Sequence, residues 1–355
     1  LVLIFFAIGS IFSRLVWGPV SDMKGRRRTM LVAIGIQVIG QTFCTFAPTI
    51  ETLLIARSFQ SLGAGVSSVL ATAIIADLFH HGNSRARMFS LLEMSFPIAY
   101  VLAPILGAFL VESTGGWRAN FGVMLVIMMF SFILVYRYVP ESHEPNKSLN
   151  LRGHFRQYIA VMKHLEFLVY GSIVGLIVCS YMIFVVNAPF IYINDLGLSV
   201  SKYALYQLIP MIFNFGSAII FRSTVNLFDV DKLAKFGMYM FSLLIPGYLI
   251  LGFSSVKLNE NLIVAVISYQ SFVVSFIIPG FTAKALEFFR EHKGVSSSLL
   301  GSIRSLMMSL GMLAGGYVLG SHVKSIFIAM GFISVTVVAF YLYVTSVKSN
   351  AKSEL

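Results

Sequence analysis

The stretch Gly18-Pro-Val-Ser-Asp22-Met-Lys-Gly25-Arg26-Arg27-Arg28 joins two apolar blocks, residues 1–20 and 29–47. Its glycines allow close backbone approach and a tight turn, Asp22 can accept hydrogen bonds at a neighbouring helix N-terminus, and the arginines suit anionic lipid headgroups. A basic loop that only fixes membrane topology is the alternative interpretation. Both interpretations place the chain in a membrane.

The composition excludes a water-soluble fold. Hydrophobic residues make up 57% of the chain and charged residues 12%, whereas a soluble domain carries about 25% charged residues. The apolar residues fall in blocks of about 20, the length of a helix that crosses the bilayer, without the alternation of a membrane β-barrel. The net charge of +11 does not indicate nucleic-acid binding, because the basic residues lie between these blocks.

Eleven apolar blocks predict an all-α membrane protein. Five come first, at 1–20, 29–47, 52–79, 86–112 and 119–138, and six follow, at 167–193, 202–221, 234–253, 262–286, 294–320 and 322–347. The pattern predicts an N-terminal bundle over 1–139, a cytoplasmic linker over 140–166, a C-terminal bundle over 167–347 and a cytoplasmic tail over 348–355. The basic segment 154–164 fits a helix on the membrane surface and a solvated linker helix equally well.

Lysine and arginine are distributed very unequally between alternate loops. When the loop 21–28 is placed in the cytoplasm, the outer side holds only Arg118, Lys202, Lys257 and Lys324, and the other loop cations all lie inside. Because positively charged loops stay in the cytoplasm, this distribution fixes the orientation and predicts a cytoplasmic C-terminus.

Three motifs resemble one known family. The stretch 18–28 resembles the G-x-x-x-D-x-x-G-R-[RK] loop signature of the major facilitator superfamily, between its second and third helices. The segment Arg57-Ser-Phe-Gln60-Ser-Leu-Gly63-Ala-Gly65 resembles the R-x-x-Q-G-x-G signature of proton-coupled members, with Ser61 in place of a glycine. Ala103-Pro104-Ile-Leu-Gly107-Ala108 resembles the G-P-x-x-G-G signature of drug:proton antiporters. Nearly the whole chain is similar to the bicyclomycin/chloramphenicol-resistance group.

This resemblance implies a fold and a function. It implies a twelve-helix, two-bundle fold in which the helix ending at Val20 is helix two, so that helix one is absent from this chain and the chain as given does not transport. It implies a monomeric, proton-driven exporter of small amphipathic molecules or drugs in the bacterial inner membrane, not an enzyme, which uses the proton gradient and no cofactor. An importer or facilitator of metabolites, an inactive copy and a membrane sensor are the alternatives.

Candidate residues follow from the motifs and from polar residues inside apolar blocks. The gating motif comprises Gly18, Asp22, Gly25, Arg26 and Arg27. A charged side chain within a span is costly and so indicates function, which makes Arg57, Glu93 and Arg304 candidates for proton coupling, together with Gln60 of the Arg57 motif. Alternatively, Arg57 and Glu93 reach the membrane interface. Arg14 is also charged, at a position where relatives are expected to carry an uncharged polar residue. Helix bending is predicted at Pro97, Pro104 and Gly107.

A mostly apolar ligand would need an amphipathic cavity. The residues predicted to line it are Asn187, Phe190, Tyr206, Gln207, Asn214, Tyr269 and Gln270, with Asn187 and Gln270 the leading candidates. Cys44 and Cys179 lie inside apolar blocks and are interpreted as buried free thiols. The histidines lack zinc-ligand spacing and no phosphate-binding loop is present, so neither a metal site nor ATP-driven pumping is predicted.

Overall fold

The computed structural model describes residues 2–114, 116–143, 151–253, 259–289, 293–318 and 323–353. Within these ranges the chain is helical and contains no strand, which confirms the predicted all-α class. The helices up to the end of the linker are α1 (Val2–Lys24), α2 (Arg26–Thr45), α3 (Ile50–Ala64), α4 (Val66–Leu78), α5 (Gly82–Thr114), α6 (Arg118–Tyr138) and α7 (Leu151–Lys163). After it come α8 (Leu165–Pro189), α9 (Val200–Thr224), α10 (Val230–Ser242), α11 (Leu244–Phe253), α12 (Glu260–Glu287), α13 (Lys293–Val318) and α14 (Val323–Ser353).

Eight segments of the described chain are long and apolar enough to cross a membrane. They are Ile50–Leu78, Arg118–Tyr138, Leu165–Asp195, Lys202–Thr224, Val230–Phe253, Glu260–Glu287, Val295–Gly316 and Val323–Ser346. Of the eleven predicted spans, those formed by α1, α2 and α5 fall outside this set. In α2 the reason is composition, because three arginines fill its first turn and Gln37 and Gln41 follow.

Three of the spans are less regular than their hydropathy predicts. The block 52–79 forms two helices, α3 and α4, that meet at Gly65, and the block 234–253 divides into α10 and α11 at Leu243. The predicted helix over 167–193 ends in a π-helical turn, Phe190–Asp195, directly after Pro189. Proline lacks the N–H that an α-helix needs, so a change of hydrogen-bond register follows it readily.

The described helix α6 has no buried residue. Between Arg118 and Arg137 at its two ends, its exposed side chains are mostly large and apolar, among them Val126, Ile127, Phe130 and Ile133. In water a continuous apolar face of this size would be an aggregation site, whereas in a bilayer it is the ordinary lipid-facing surface. This helix therefore supports the membrane assignment independently of hydropathy averages.

The chain divides into two compact units. Unit 1 comprises Leu1–His80, Ala103–Lys163 and Phe289–Ser305, and unit 2 comprises His81–Leu102, His164–Phe288 and Leu306–Leu355. Two helices, α5 and α13, therefore contribute residues to both units. The predicted linker enters unit 1 as α7, and the middle of that linker, 144–150, lies outside the described residues.

Unit 1 is built on close contact between α2 and α3. A Cβ added at Gly40 would lie 2.6 Å from the Cα of Gln60, so only glycine lets the two backbones approach this closely. Trp17 of α1 donates its indole N–H to the carbonyl of Leu62 at 2.6 Å. The thiol of Cys44 is fully buried in this unit, as predicted.

Unit 2 packs α12 between α8, α9 and α10, and packs α14 against α8 and α11. Its interior is aromatic and includes Phe184, Phe221 and Tyr248, which are all less than 2% exposed. The second free thiol, Cys179, is buried where α8 meets α13, and a Cβ added at Gly311 would lie 3.0 Å from the Cα of this cysteine. Small residues thus permit the close helix contacts of both units.

Candidate functional site

The loop between α1 and α2 turns at Gly25. This residue has a φ of 92°, a backbone conformation that side-chain-bearing residues rarely adopt. A Cβ at this position would also lie 2.5 Å from a carboxylate oxygen of Glu141. Preceding it, the hydroxyl of Ser21 donates to the carbonyl of Gly18 at 2.6 Å. At Gly25, both the backbone geometry and the crowding by Glu141 therefore favour glycine, whereas Gly18 takes part through its backbone carbonyl.

Arg26 is the charged centre of unit 1. Its side chain is 1% exposed, and its guanidinium lies 2.5 Å from Oδ1 of Asp22 and 3.0 Å from Oδ2 of Asp77, which are 8% and 7% exposed. The same guanidinium donates to the hydroxyl of Ser21 at 2.5 Å. One buried cation thus holds two buried carboxylates, from the end of α1 and the end of α4.

Glu141 follows α6 and caps the N-terminus of α2. One carboxylate oxygen accepts from the backbone N–H of Arg26 at 2.6 Å, and the other accepts from the N–H of Arg27 at 3.2 Å. These N–H groups have no partner within the helix, and the positive end of the helix dipole favours an anion there. We name Asp22, Arg26, Asp77 and Glu141 together the Arg26 cluster.

Arg27 anchors the same loop to α6. Its guanidinium donates to the carbonyl of Tyr136 at 2.5 Å and lies 5.6 Å from the centre of that ring. Because Arg27 is only partly buried, its contacts are more exposed to solvent than those of Arg26. The two neighbouring arginines therefore differ sharply in environment.

The start of α13 is tied to α1 and α7 within unit 1. Ser298 donates its hydroxyl to the carbonyl of Arg14, and Tyr158 of α7 donates to the Ser298 hydroxyl at 3.0 Å. Burial raises the pKa of the Tyr158 hydroxyl above its usual range, the hydrogen bond to Ser298 opposes this shift, and the charge of Asp22 adds to it. The linker helix, α1 and α13 thus meet close to the Arg26 cluster.

Arg57 and Gln60 join a second polar network in unit 1. Arg57 donates to the Oε1 of Gln60 at 2.9 Å, and its guanidinium lies 4.6 Å from the centre of the Phe121 ring. Gln60 donates to Gln41, which donates in turn to the carbonyl of Phe121 at 2.7 Å. The two coupling candidates are therefore in direct contact, and the network links α2, α3 and α6.

The other coupling and bending candidates lie on α5 and α13. Glu93 is partly buried on the part of α5 that belongs to unit 2, and Arg304 is partly buried on the part of α13 that belongs to unit 1. The side chains of Pro97 and Pro104 lie outside the described residues, while the backbone of α5 is helical at both positions. A Cβ added at Gly107 would lie 3.8 Å from the side-chain amide nitrogen of Asn120 on α6, which is an ordinary contact distance.

The two leading substrate candidates are fully buried in unit 2. Asn187 is 0% exposed and donates to the carbonyls of Ile183 and Gly315, while its own Oδ1 has no partner among the described residues. Gln270 is also 0% exposed, and neither of its amide atoms has a hydrogen-bond partner in the described part of the chain. A buried amide without partners is costly and indicates an unidentified polar ligand or water.

The remaining substrate candidates do not share one cavity. Tyr269 lines a largely apolar groove of about 580 Å³ between α9, α10 and α12, and donates to the carbonyl of Met240 at 3.0 Å. Asn214 donates to Ser271 and Ser275 and so fastens α9 to α12. The other three are Phe190, which is 47% exposed, Tyr206, which stacks on Tyr192, and Gln207, which hydrogen-bonds Tyr203.

The sequence analysis did not identify Asp77, Glu141, Tyr158 or Ser298 as site residues. The available signal for Asp77 was its position at the inner end of a predicted span, on the side that carries most of the lysines and arginines. A carboxylate at that depth is expected to pair with a cation. For Tyr158 and Ser298 the sequence offered no comparable signal.

Comparison with known proteins gives consistent matches. The sequence profile of the Major Facilitator Superfamily matches residues 1–312. The chain is similar to the uncharacterized MFS-type transporter YdgK of Bacillus subtilis (strain 168), with 25% identity over 85% of this chain and 75% of that protein. It is also similar to the bicyclomycin resistance protein homolog of Haemophilus influenzae, with 24% identity over 98% of this chain and 86% of that protein.

A solved structure shares the fold. The human organic anion transporter MFSD10 (TETRAN) superposes with a TM-score of 0.74 at 17% identity, covering 95% of this chain and 82% of that one. At this identity the likeness concerns the arrangement of helices alone.

Proposed function

The chain belongs to the Major Facilitator Superfamily, and from this premise we propose that it exports small amphipathic molecules or drugs across the bacterial inner membrane in exchange for protons. Family membership makes it a transporter of small molecules with several membrane-spanning helices. To what family membership establishes, the proposal adds export, proton coupling, a monomeric state and a cytoplasmic C-terminus. The similarity to a bicyclomycin resistance protein homolog supports the drug-export part.

The Arg26 cluster is the observation that carries the proposal. It joins the loop after α1, the end of α4 and the segment after α6 through buried ion pairs and a capped helix. Buried ion pairs contribute little net stability, but separating their partners leaves uncompensated charge and is strongly unfavourable. An arrangement of this kind is either formed or broken, which suits a gate between two conformations.

We extend the gate to the start of α13. In the cytoplasm-closed state, Asp22 lies beside the first turn of this helix, where the positive end of the helix dipole favours a carboxylate. The hydrogen bond from Ser298 to the backbone of α1 supports this placement, since it holds the two helices together nearby. Opening would then separate α13 from α1 and break the contact between Tyr158 and Ser298.

We assign proton coupling to Arg57 with Gln60 and to Glu93. The guanidinium of Arg57, held by Gln60 and by the ring of Phe121, fixes a positive charge inside a span. Glu93 is a carboxylate on α5, within the predicted span 86–112, and would serve as the proton-binding group. Asn187 and Gln270 would contact substrate, because their unpartnered amide atoms can accept or donate hydrogen bonds.

Transport by inside-out membrane vesicles tests the proposal. Vesicles that contain the protein together with the first helix that the resemblance implies should take up a fluorescent amphipathic drug such as ethidium when their interior is acidified. Collapsing the proton gradient with a protonophore should abolish the uptake, and so should Arg26→Gln. The matched control is Arg27→Gln, which alters the neighbouring, more exposed arginine.

The proposal fails if uptake persists after the gradient is collapsed. It also fails if a metabolite moves only down its own gradient in the same vesicles, since that result would identify a facilitator. If the Arg26→Gln vesicles keep normal uptake, the Arg26 cluster is not a gate.

A further inference from the structure

An apolar groove lies on unit 1 between the end of α2 and the start of α3. Its volume is about 670 Å³, and its walls are large side chains exposed at the surface of the unit, Phe43 and Phe46 on α2 and Ile55 and Phe59 on α3. Both helix ends lie on the side that the distribution of lysine and arginine predicts to be outside. Neither the Arg26 cluster nor the Arg57 network contributes a residue to this lining.

The side chains of the groove offer no free hydrogen-bond donor to a ligand. Its two threonines, Thr42 and Thr52, donate their hydroxyls to the backbone carbonyls of Val38 and Thr49, each at 2.8 Å. The other lining side chains are apolar. A polar ligand would lose its hydration here without compensation, whereas a hydrocarbon chain would not. The groove therefore favours an apolar occupant.

A cation lies at one end of this groove. Arg118, at the start of α6, donates to the carbonyl of Ala47 at 2.9 Å, and Ala47 is one of the lining residues. Its guanidinium also lies 4.6 Å from the centre of the Trp117 ring. Arg118 is exposed and forms no salt bridge with a carboxylate of the described chain, and Glu51, in the first turn of α3, hydrogen-bonds Thr49. A guanidinium has more N–H donors than this one bond uses, so Arg118 can also bind an anion.

We propose that the groove and Arg118 form a binding site for a phospholipid of the outer leaflet, with one acyl chain in the groove and the phosphate on Arg118. A molecule that matches both parts of the site must be apolar along its length and anionic at one end. Arginine can bind two oxygens of one phosphate, and tryptophan is common at the level of lipid headgroups, where Trp117 would lie. The inference does not rest on the proposed transport function.

Native mass spectrometry of the delipidated protein in a neutral detergent tests the phosphate contact. The titration compares dioleoylphosphatidylglycerol with dioleoylglycerol, which has the same acyl chains and no phosphate. We expect the first phosphatidylglycerol to bind about fivefold more tightly, which is the contribution of one arginine near an anionic membrane surface. Arg118→Gln should remove this difference. Lys202→Gln is the matched control and should keep it, because Lys202 is an exposed cation of unit 2 that also lies over a ring, 6.0 Å from the centre of Tyr206.

A second pair of variants tests the groove itself. Thr42→Phe places an aromatic ring in the groove and should prevent saturable binding of both lipids. Ser131→Phe is the matched control, because Ser131 is partly buried on α6 and donates its hydroxyl to the carbonyl four residues earlier, as Thr42 does. Lipid binding by Ser131→Phe should equal that of the unmodified protein.

Equal affinity for the two lipids, or a preference that survives Arg118→Gln, would overturn the inference. Normal lipid binding by Thr42→Phe would also overturn it, and if this variant does not fold, the comparison of the two lipids in Arg118→Gln decides. Displacement of the lipid by glycerol phosphate would show a headgroup site that needs no groove, and displacement by ethidium would show a drug-binding surface; either result contradicts the proposal. The measurement uses no proton gradient, so failure of proton-coupled export leaves its outcome unaffected.

Discussion

Replacing Arg26 by glutamine should open the gate of unit 1. The guanidinium of Arg26 is the described partner of both Asp22 and Asp77, whose side chains are 8% and 7% exposed. Glutamine can accept or donate a hydrogen bond but carries no charge. The replacement therefore leaves two carboxylates buried close to the helix ends with no cation between them.

The expected cost follows from the burial of this cluster. Removing one partner of a buried ion pair costs about 3–5 kcal/mol, and each 1.4 kcal/mol corresponds to a factor of ten. If the cluster is formed only in the closed state, local opening should become more frequent by about two to three and a half powers of ten. Arg27→Gln removes the more exposed neighbouring arginine and should cost about 1 kcal/mol or less.

Hydrogen–deuterium exchange of the reconstituted protein measures this opening. Amides of residues 26–36 and 293–305 should exchange much faster in Arg26→Gln than in Arg27→Gln, while those of residues 165–189 in unit 2 serve as the internal reference. Adding Asp77→Asn to Arg26→Gln should recover part of the protection, because it removes one of the two carboxylate charges that faced the arginine.

Equal exchange in the two single variants would refute the reasoning. Uniform acceleration that includes residues 165–189 would also refute it, since that pattern reports global destabilisation instead of a local gate. A double variant less protected than Arg26→Gln would show that Asp77 contributes independently of the arginine.

Three further predictions concern single contacts. Glu141→Gln should lower the free energy of unfolding by about 1–2 kcal/mol, because a neutral amide caps the α2 N-terminus less well than a carboxylate. Chemical denaturation with and without salt measures this change. Tyr158→Phe should make the loss of stability at alkaline pH less steep. Burial and the charge of Asp22 raise the pKa of the Tyr158 hydroxyl in the folded protein. The stability that this hydroxyl contributes is therefore complete below the ordinary tyrosine pKa of about 10 and is lost as the pH rises above it. A thermal-unfolding series from pH 8 to 11.5 checks this, and parallel curves for the two proteins would contradict it. Arg57→Ala should abolish proton-coupled uptake while membrane insertion stays normal, since an uncharged residue eases insertion, and normal uptake by a well-expressed variant would contradict the coupling role.

The all-α fold class could be predicted from short stretches of the sequence. Each apolar block is continuous in sequence, and a bilayer forces such a block to satisfy its backbone internally as a helix. The breaks at Gly65 and Leu243 and the π-helical turn after Pro189 were not predictable from hydropathy, because apolar residues continue through all three. These irregularities reflect packing and backbone hydrogen bonds, which composition does not record.

The candidate site was predicted only in part, for a different reason. The motif identified Asp22, Gly25 and Arg26 because they lie within one short loop. The partners Asp77 and Glu141 are 51 and 115 residues away from Arg26, and a single sequence carries no information on such pairings. The role of Asp22 at the start of α13 and the roles of the coupling and substrate residues stay predictions.

The two free cysteines give each unit its own native reporter. Cys44 is 0% exposed in unit 1 and lies beside Gln60 of the Arg57 network, while Cys179 is 7% exposed in unit 2 behind Gly311. A thiol reagent reaches a buried cysteine only when the surrounding helices separate. The alkylation rate of each cysteine therefore reports how often the helices of its own unit separate. Mass spectrometry of the two cysteine-containing peptides measures both rates in one sample without any engineered label.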